Sequence, residues 1–382
     1  METLLATKQK DFINCFMELS VELDDIREDS KLLYPMDEIL FLTIAAVLSC
    51  AESWKQIYEY GIDNLDFLSK YFPYKHGIPS KSTICFVLGV INKHKFEAWF
   101  LNWASNLIDI MPEDLINIDG KTVRGSKTKH EKAAHILNVF AKKQGLILAQ
   151  KTVGEKTNEI PEIPKLLDNL NISGATITID AMGCQKEIVA KIIEKDANYF
   201  IGLKANQPLL YDAARYLFED KNNASEYFDY FSERNKAHGR IEWRKCWVTA
   251  IPEWFANEYP DWAGLKSICL IESERHMNKK RSIEQRLYIS SEILDAKKGL
   301  INSRGHWSIE NQVHYVLDVT FKEDNCRVHN AAENMSIIRK IIFNLIKKYK
   351  LDTNNKSSIP TIRKKAGWLN STAAAVLGYL SA

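Results

Sequence analysis

The stretch Leu115-Ile116-Asn117-Ile118-Asp119 is a short apolar run that ends in an acid, and Ala175-Thr176-Ile177-Thr178-Ile179-Asp180 repeats the pattern. Short runs of this kind, rich in β-branched residues and bounded by turn residues, read as buried strands. Around them the pattern alternates. HILNVFA, a turn at Lys142-Lys143-Gln144-Gly145 and LILAQKTV predict a β-hairpin, and IPEIPKLLDNL predicts a helix. After the second run QKEIVAKIIEKD predicts another helix, and YFIGLKA (199–205) predicts a third strand. Strand, hairpin, helix, strand, helix, strand is an α/β sheet with at least one parallel crossover.

Working outward, residues 1–110 read as a helical domain. Pro35-Met36-Asp37-Glu38 sets a proline and two acids where a helix would begin, ahead of the apolar run Ile39–Cys50, and Ser53 and Ser80 are further N-cap candidates. Such helices suit either a DNA reader of helix-turn-helix type or a helical packing or dimerisation module, and the sequence leaves both open. Between about 207 and 300 strand-like pieces (EWRKCWVTA, LKSICLIESER, RLYISSE) and Trp243, Trp247 and Trp254 predict a β-rich insertion within the α/β unit. From Ser303 the chain reads as helical again, so the α/β domain is expected to span 111–350, with a tail over 351–382.

The chain has 382 residues, of which 46% are hydrophobic and 26% charged, an ordinary globular composition that excludes a disordered, collagen-like or disulfide-scaffold protein. Its net charge of +2 hides an asymmetry: residues 1–110 carry 10 Lys+Arg against 16 Asp+Glu, so the excess of base belongs to the later part. Seven scattered cysteines without a CxxC pair read as reduced thiols of a cytoplasmic protein. The start METLLATKQKDF lacks the apolar core of a signal peptide, and Ile39–Cys50 is too short to span a bilayer, so no membrane role is expected.

Side chains at the carboxyl ends of parallel strands converge on the crevice where ligands bind, so Asp119 and Asp180 can meet although distant in sequence. Each is followed by a small residue, Gly120 or Ala181, which leaves room at the carboxylate. Carboxylates without soft ligands suit magnesium or manganese. Lys121, Arg124 and Lys127, in GKTVRGSK, and Lys204, at the end of the third strand, are candidate phosphate contacts beside them. Glu310 lies four residues from both His306 and His314, on one helical face. That face suits either a zinc site or a third carboxylate for the aspartate pair. The compact HExxH signature of a zinc hydrolase is missing, and a zinc site would leave both aspartates idle, so the carboxylate reading is favoured, with Asp318, Glu323 and Asp324 as rivals for the role. Two strand aspartates and a helix glutamate form a hard-oxygen cage for two divalent ions about 3.5–4 Å apart, which names polynucleotidyl transfer.

The sequence also resembles the DDE transposases of bacterial insertion sequences, in particular the branch known as H-repeat-associated proteins. The resemblance rests on YPMDEILFLTIAAVLSCAESWKQIYEYG and HGIPSKST in the first part. INIDGKTVRGS, ITIDAMGCQKEI and YFIGLKANQ carry it through the α/β part, and HGRIEWR (238–244) and RGHWSIENQVHYVLDVTFKED complete it. It implies a ribonuclease H-like catalytic core with a β-rich insertion, preceded by a transposase-associated helical domain. Carried over by motif, the catalytic acids fall on Asp119, Asp180 and Glu310. Many related transposases have a Tyr, an Arg and a Lys seven and four residues before the Glu and seven after, where this chain has Ser303, His306 and Leu317. The phosphate contacts of that signature therefore do not transfer, although Arg304 and His306 can substitute. The implied activity is metal-dependent cleavage of an element's DNA ends and their joining to target DNA, by a homodimer holding two Mg²⁺ or Mn²⁺ ions in each site. HGRIEWR, with Arg240, and the insertion's tryptophans would then meet phosphates and unstacked bases, core packing being the alternative for the tryptophans. A nuclease of the same fold without strand transfer, and an inactive DNA-binding remnant, are the competing readings.

Overall fold

In the computed structural model the run ending at Asp119 continues to a nine-residue strand β1 (Leu115–Val123), because Gly120–Val123 still pair with the hairpin that follows. The structure describes residues 32–378 apart from 108–109, 130–131, 155–157, 220–227, 238–239, 278–279, 327 and 329–330, together with 18, 19, 21–23, 25 and 27. Strands β2 (Ala134–Ala141) and β3 (Leu146–Val153) form the expected hairpin, antiparallel on one side of β1. On the other side lie β4 (Thr176–Ile179) and β5 (Asn198–Leu203), parallel to β1. Helices Glu162–Asp168 and Lys186–Glu194 make the crossovers, burying Ile163, Leu166, Leu167, Ile188 and Ile192 against one face of the sheet.

The β-rich segment extends this sheet. Strands β6 (Asp229–Ala237), β7 (Arg240–Ala250), β8 (Ser267–Met277) and β9 (Lys280–Ser290) are antiparallel neighbours, and β9 returns to pair with β5. The result is one nine-stranded sheet in the order β3-β2-β1-β4-β5-β9-β8-β7-β6. Strand β9 pairs with β5 only from Leu287 to Ser290, so its first residues run on beyond the end of β5. Trp247 is buried in the core, whereas Trp243 and Trp254 are exposed.

The other face carries the later helices. A helical run begins at Ala296, seven residues before Ser303, because Asp295 caps it by accepting a hydrogen bond from the Lys298 N–H at 2.6 Å. It continues through a wide π-helical turn at Glu310–His314 and ends at Val319. Gly305 lets this run approach β1: a Cβ there would lie 2.1 Å from Leu115 Cδ2.

Helices Met36–Leu48, Trp54–Asp63, Lys81–Val90 and Lys93–Asn106 form the N-terminal region. The apolar run is the most buried of them, with Phe41, Ile44 and Leu48 fully enclosed. It packs against the long helix Ala332–Asp352 and against two helices beyond Leu351, Ile359–Trp368 and Asn370–Leu377, so that N- and C-terminal residues share one apolar core. This helical layer also reaches the outer side of β3. The Ile147 N–H donates to Asn344 Oδ1 and the Ile147 carbonyl accepts from Asn344 Nδ2, at 2.9 and 2.7 Å, and the Thr152 N–H donates to Glu97 Oε1 at 2.7 Å. The six described cysteines are free, Cys15 lying outside the described residues. Among the described residues no helix is long and apolar enough to cross a membrane.

Candidate active site

Parallel pairing in the register Ile118↔Ile179 brings Asp119 and Asp180 side by side, one inside β1 and the other just past the end of β4. Asp180 starts a short 3-10 turn, its Oδ1 accepting from the Met182 N–H at 3.0 Å. Glu310 opens the wide turn of the helical run, a distortion often found at functional sites. All three acids line one cavity of about 320 Å³, together with Lys204, Tyr211, Arg215, Arg286, His306 and Trp307.

Like charges gathered in a partly buried place resist ionisation together. Burial, then Asp180, Glu310 and Glu159, push Asp119 up to about 7. Both neighbouring histidines are held neutral. Burial lowers His306 to about 4, and its Nδ1 meets Thr178 Oγ1 at 3.1 Å. Burial also lowers His314 to about 3, with Nε2 3.3 Å from the Asn138 amide nitrogen and Nδ1 3.6 Å from Asp119 Oδ2. The histidines flanking Glu310 therefore turn to separate partners, and among the described residues no three His, Cys, Asp or Glu are drawn together as a ready metal cage. The donors that line the cavity, the carboxylates of Asp119, Asp180 and Glu310, are hard oxygen, the kind a divalent ion of the Mg²⁺ type takes.

The space over Gly120, on the other face of β1 from the Asp119 side chain, is not empty. Glu159 fills it, hydrogen-bonded to His135 Nε2, and a Cβ at Gly120 would sit 1.9 Å from Glu159 Oε1. The small residue after Asp119 thus admits a further acid, which does not line the cavity but is near enough to act on Asp119 through its charge. Arg286, stacked 4.8 Å over the Trp307 ring, and Arg215 supply positive charge at the cavity. Arg286 carries no local signal, because it reaches the cavity only when β9 joins β5.

The other predicted phosphate contacts scatter. Lys204 lines the cavity. Arg124 and Lys127 are exposed along a separate open groove with Lys129, Asp324 and Asn325. Arg304 pairs with Glu233 at 2.8 Å. Arg240 opens β7 opposite Ala237, its side chain lying outside those described. Lys121 is no free cation beside the cavity: it is buried, with Nζ 2.7 Å from Asp318, 3.0 Å from Glu323 and 3.3 Å from Asp324. Those three acids, the rivals of Glu310, are thereby drawn to Lys121 rather than to the cavity.

Comparison with known proteins gives the family. The family model described as Transposase DDE domain matches residues 111–345, and DDE_Tnp_1-associated matches residues 15–104. YncI of Escherichia coli O157:H7, named provisionally as a transposase, is 38% identical over 354 residues, covering 90% of this chain and 89% of the relative. The H repeat-associated protein YhhI of Escherichia coli strain K12, also named provisionally as a transposase, is 37% identical over 351 residues, covering 90% and 91%. Among solved structures, a piggyBac transposase synaptic complex with hairpin DNA is similar at a TM-score of 0.46 and 12% identity, over 98% of this chain and 80% of that one, a likeness too slight to define the fold.

Proposed function

Because the chain belongs to the DDE transposases of the H-repeat-associated branch, we propose that it cuts the DNA ends of its own insertion element and joins them to a target, with Asp119, Asp180 and Glu310 as the catalytic acids. The observation that supports this reading is that these three carboxylates, from two parallel strands and one helix, line a single cavity. Strand order β3-β2-β1-β4-β5, three antiparallel and then two parallel, supports a ribonuclease H-like core over 111–350, with β6–β9 as its insertion and residues 1–110 as a helical domain packed beside it.

In this reading Asp119, Asp180 and Glu310 hold two Mg²⁺ or Mn²⁺ ions. When bound, such ions activate a water or a 3′-hydroxyl and stabilise the leaving oxygen of an in-line phosphoryl displacement. The chain's own residues do the rest. Lys204, Arg215 and Arg286 take the phosphates that flank the scissile bond, neutral His306 contributes a hydrogen bond rather than a charge, and Arg124 and Lys127 meet duplex DNA farther from the acids. Two ends must be brought together, so the working form is a homodimer on DNA.

The test is cleavage and strand transfer, with Mg²⁺, of a plasmid carrying the DNA on either side of the gene, where this reading expects inverted repeats. Wild type should do both, and Asp119→Ala, Asp180→Ala and Glu310→Ala neither; an active Ala variant would overturn the site. Cleavage without joining would mark a nuclease instead.

A further inference from the structure

Three alternate residues of β1 project towards the helical run that bears Glu310 and meet it at different points, Asn117 and Lys121 by polar bonds and Asp119 by proximity alone. Asn117 Nδ2 donates to the Gly305 carbonyl at 2.7 Å, Asp119 meets His314 at 3.6 Å, and Lys121 Nζ meets Asp318 at 2.7 Å. Two residues along a strand advance about 6.7 Å and four along a helix about 6 Å, so strand and helix run together between the second and third contacts. The third contact is also the most firmly anchored. Lys121 reaches past Asp318 to Glu323, which accepts from Ser336 Oγ at 2.8 Å and lies 3.7 Å from Arg339, both on the long helix Ala332–Asp352. The backbone N–H of Arg124 and Lys121 Nζ both donate to Asp324, tying the chain beyond the helix to the end of β1.

We propose that Lys121 is a positioning residue, whose ammonium fastens the helix carrying Glu310 along β1 and so fixes Glu310 relative to Asp119. The proposal rests on the catalytic reading above, and it replaces the phosphate-binding role that the position of Lys121 next to IDG suggested. Lys121 lies two residues beyond Asp119 on the same face of the strand, and it is enclosed by carboxylates that leave no approach for a phosphate.

The experiment uses the full-length protein and four measurements: melting temperature, Mn²⁺ affinity followed by electron paramagnetic resonance without DNA, affinity for duplex DNA at several salt concentrations, and cleavage of the plasmid described above. Lys121→Met should weaken Mn²⁺ binding and cleavage about 10–100-fold, the usual range for loss of a residue that orients metal ligands, with duplex affinity unchanged. Lys121→Arg should recover most of both. Asp318→Asn, which leaves Lys121 its two other partners, should shift Mn²⁺ affinity in the same direction by less, without a fall in melting temperature, and it decides the matter if Lys121→Met fails to fold. Wild-type Mn²⁺ affinity and cleavage in a folded Lys121→Met or Asp318→Asn would overturn the proposal. So would a Lys121→Met protein that loses DNA affinity and about one unit of salt slope while binding Mn²⁺ normally, since that is the signature of a phosphate contact. Failure of the underlying reading shows separately, as Asp119→Asn or Glu310→Gln proteins that still bind Mn²⁺ and cleave, and would overturn both.

Discussion

Two acidic clusters lie side by side along β1, one around Asp119 and the other around Lys121, and they behave oppositely. In the first, burial and the nearby acids Asp180, Glu310 and Glu159 lift Asp119 to about 7. In the second, burial also works against the fully enclosed Glu323, but Lys121, Arg339 and Lys340 overcome it and hold the carboxyl at about 2. The building materials are the same, and the strand and the helical run are the same. Cations enclosed in the second cluster, Lys121 first among them, make the difference. A cluster with cations enclosed among its carboxylates is closed, whereas the acids around Asp119, which share a cavity wall with Lys204, Arg215 and Arg286 but form no ion pair with them among the described residues, keep an unmet demand for positive charge, which is the property a divalent-ion site needs.

That contrast can be broken from either side. The largest effect is expected from Glu310→Gln, which should reduce cleavage by at least about a thousandfold, roughly 4 kcal/mol in barrier, while leaving thermal stability unchanged or higher. Glu323→Gln should do the reverse: it removes the buried carboxylate that Lys121 and Arg339 share and should cost about 3–5 kcal/mol of stability by urea unfolding. If both variants lost stability alike, the distinction between the clusters would fail.

Next comes the pH dependence of Asp119. Its carboxyl lies above its ordinary value of 3.8, so its contribution to stability is fully present below about pH 4 and is lost as the pH rises through about 7. Asp119→Asn should therefore stabilise the metal-free protein by roughly 2–4 kcal/mol at pH 8 and by little at pH 4, read from melting curves at each pH. Mg²⁺ at a hundred times its dissociation constant should stabilise wild type by about 2.7 kcal/mol at pH 8, and Asp119→Asn far less. The smallest effect is expected at the open groove, where Arg124→Ala should lower the salt slope of DNA binding by about one unit and leave Mn²⁺ affinity alone.

Much of the core was legible because its signals are local. The runs at 115–119, 175–180 and 199–205 carry their own length, composition and terminal acids, and the hairpin carries its turn. What sequence did not disclose depends on distant partners. Lys121 looked like a phosphate neighbour because it follows an acid and a glycine, but its partner Asp324 is 203 residues away. Glu159 belongs to a loop with no signal of its own and is found only through the room that Gly120 leaves. Arg286 reaches the cavity because β9 joins β5, and strand order is not written in local periodicity. The start of the Glu310 helix was displaced to Ser303 because Asp295 is an inconspicuous cap among strand-like residues.

The side chains along β3 bear on assembly. An exposed strand edge is a template on which another chain can add, and it is a common origin of aggregation. On β3, Asn344 occupies both backbone groups of Ile147 and Glu97 occupies the Thr152 N–H, so side chains imitate the neighbour that a foreign strand would have been. At the opposite edge β6 carries Glu233, Arg234 and Lys236, charges that discourage stacking by a second sheet. In the homodimer proposed above, the two copies would therefore associate through helices, loops or the nucleic acid itself, leaving each protomer's sheet separate.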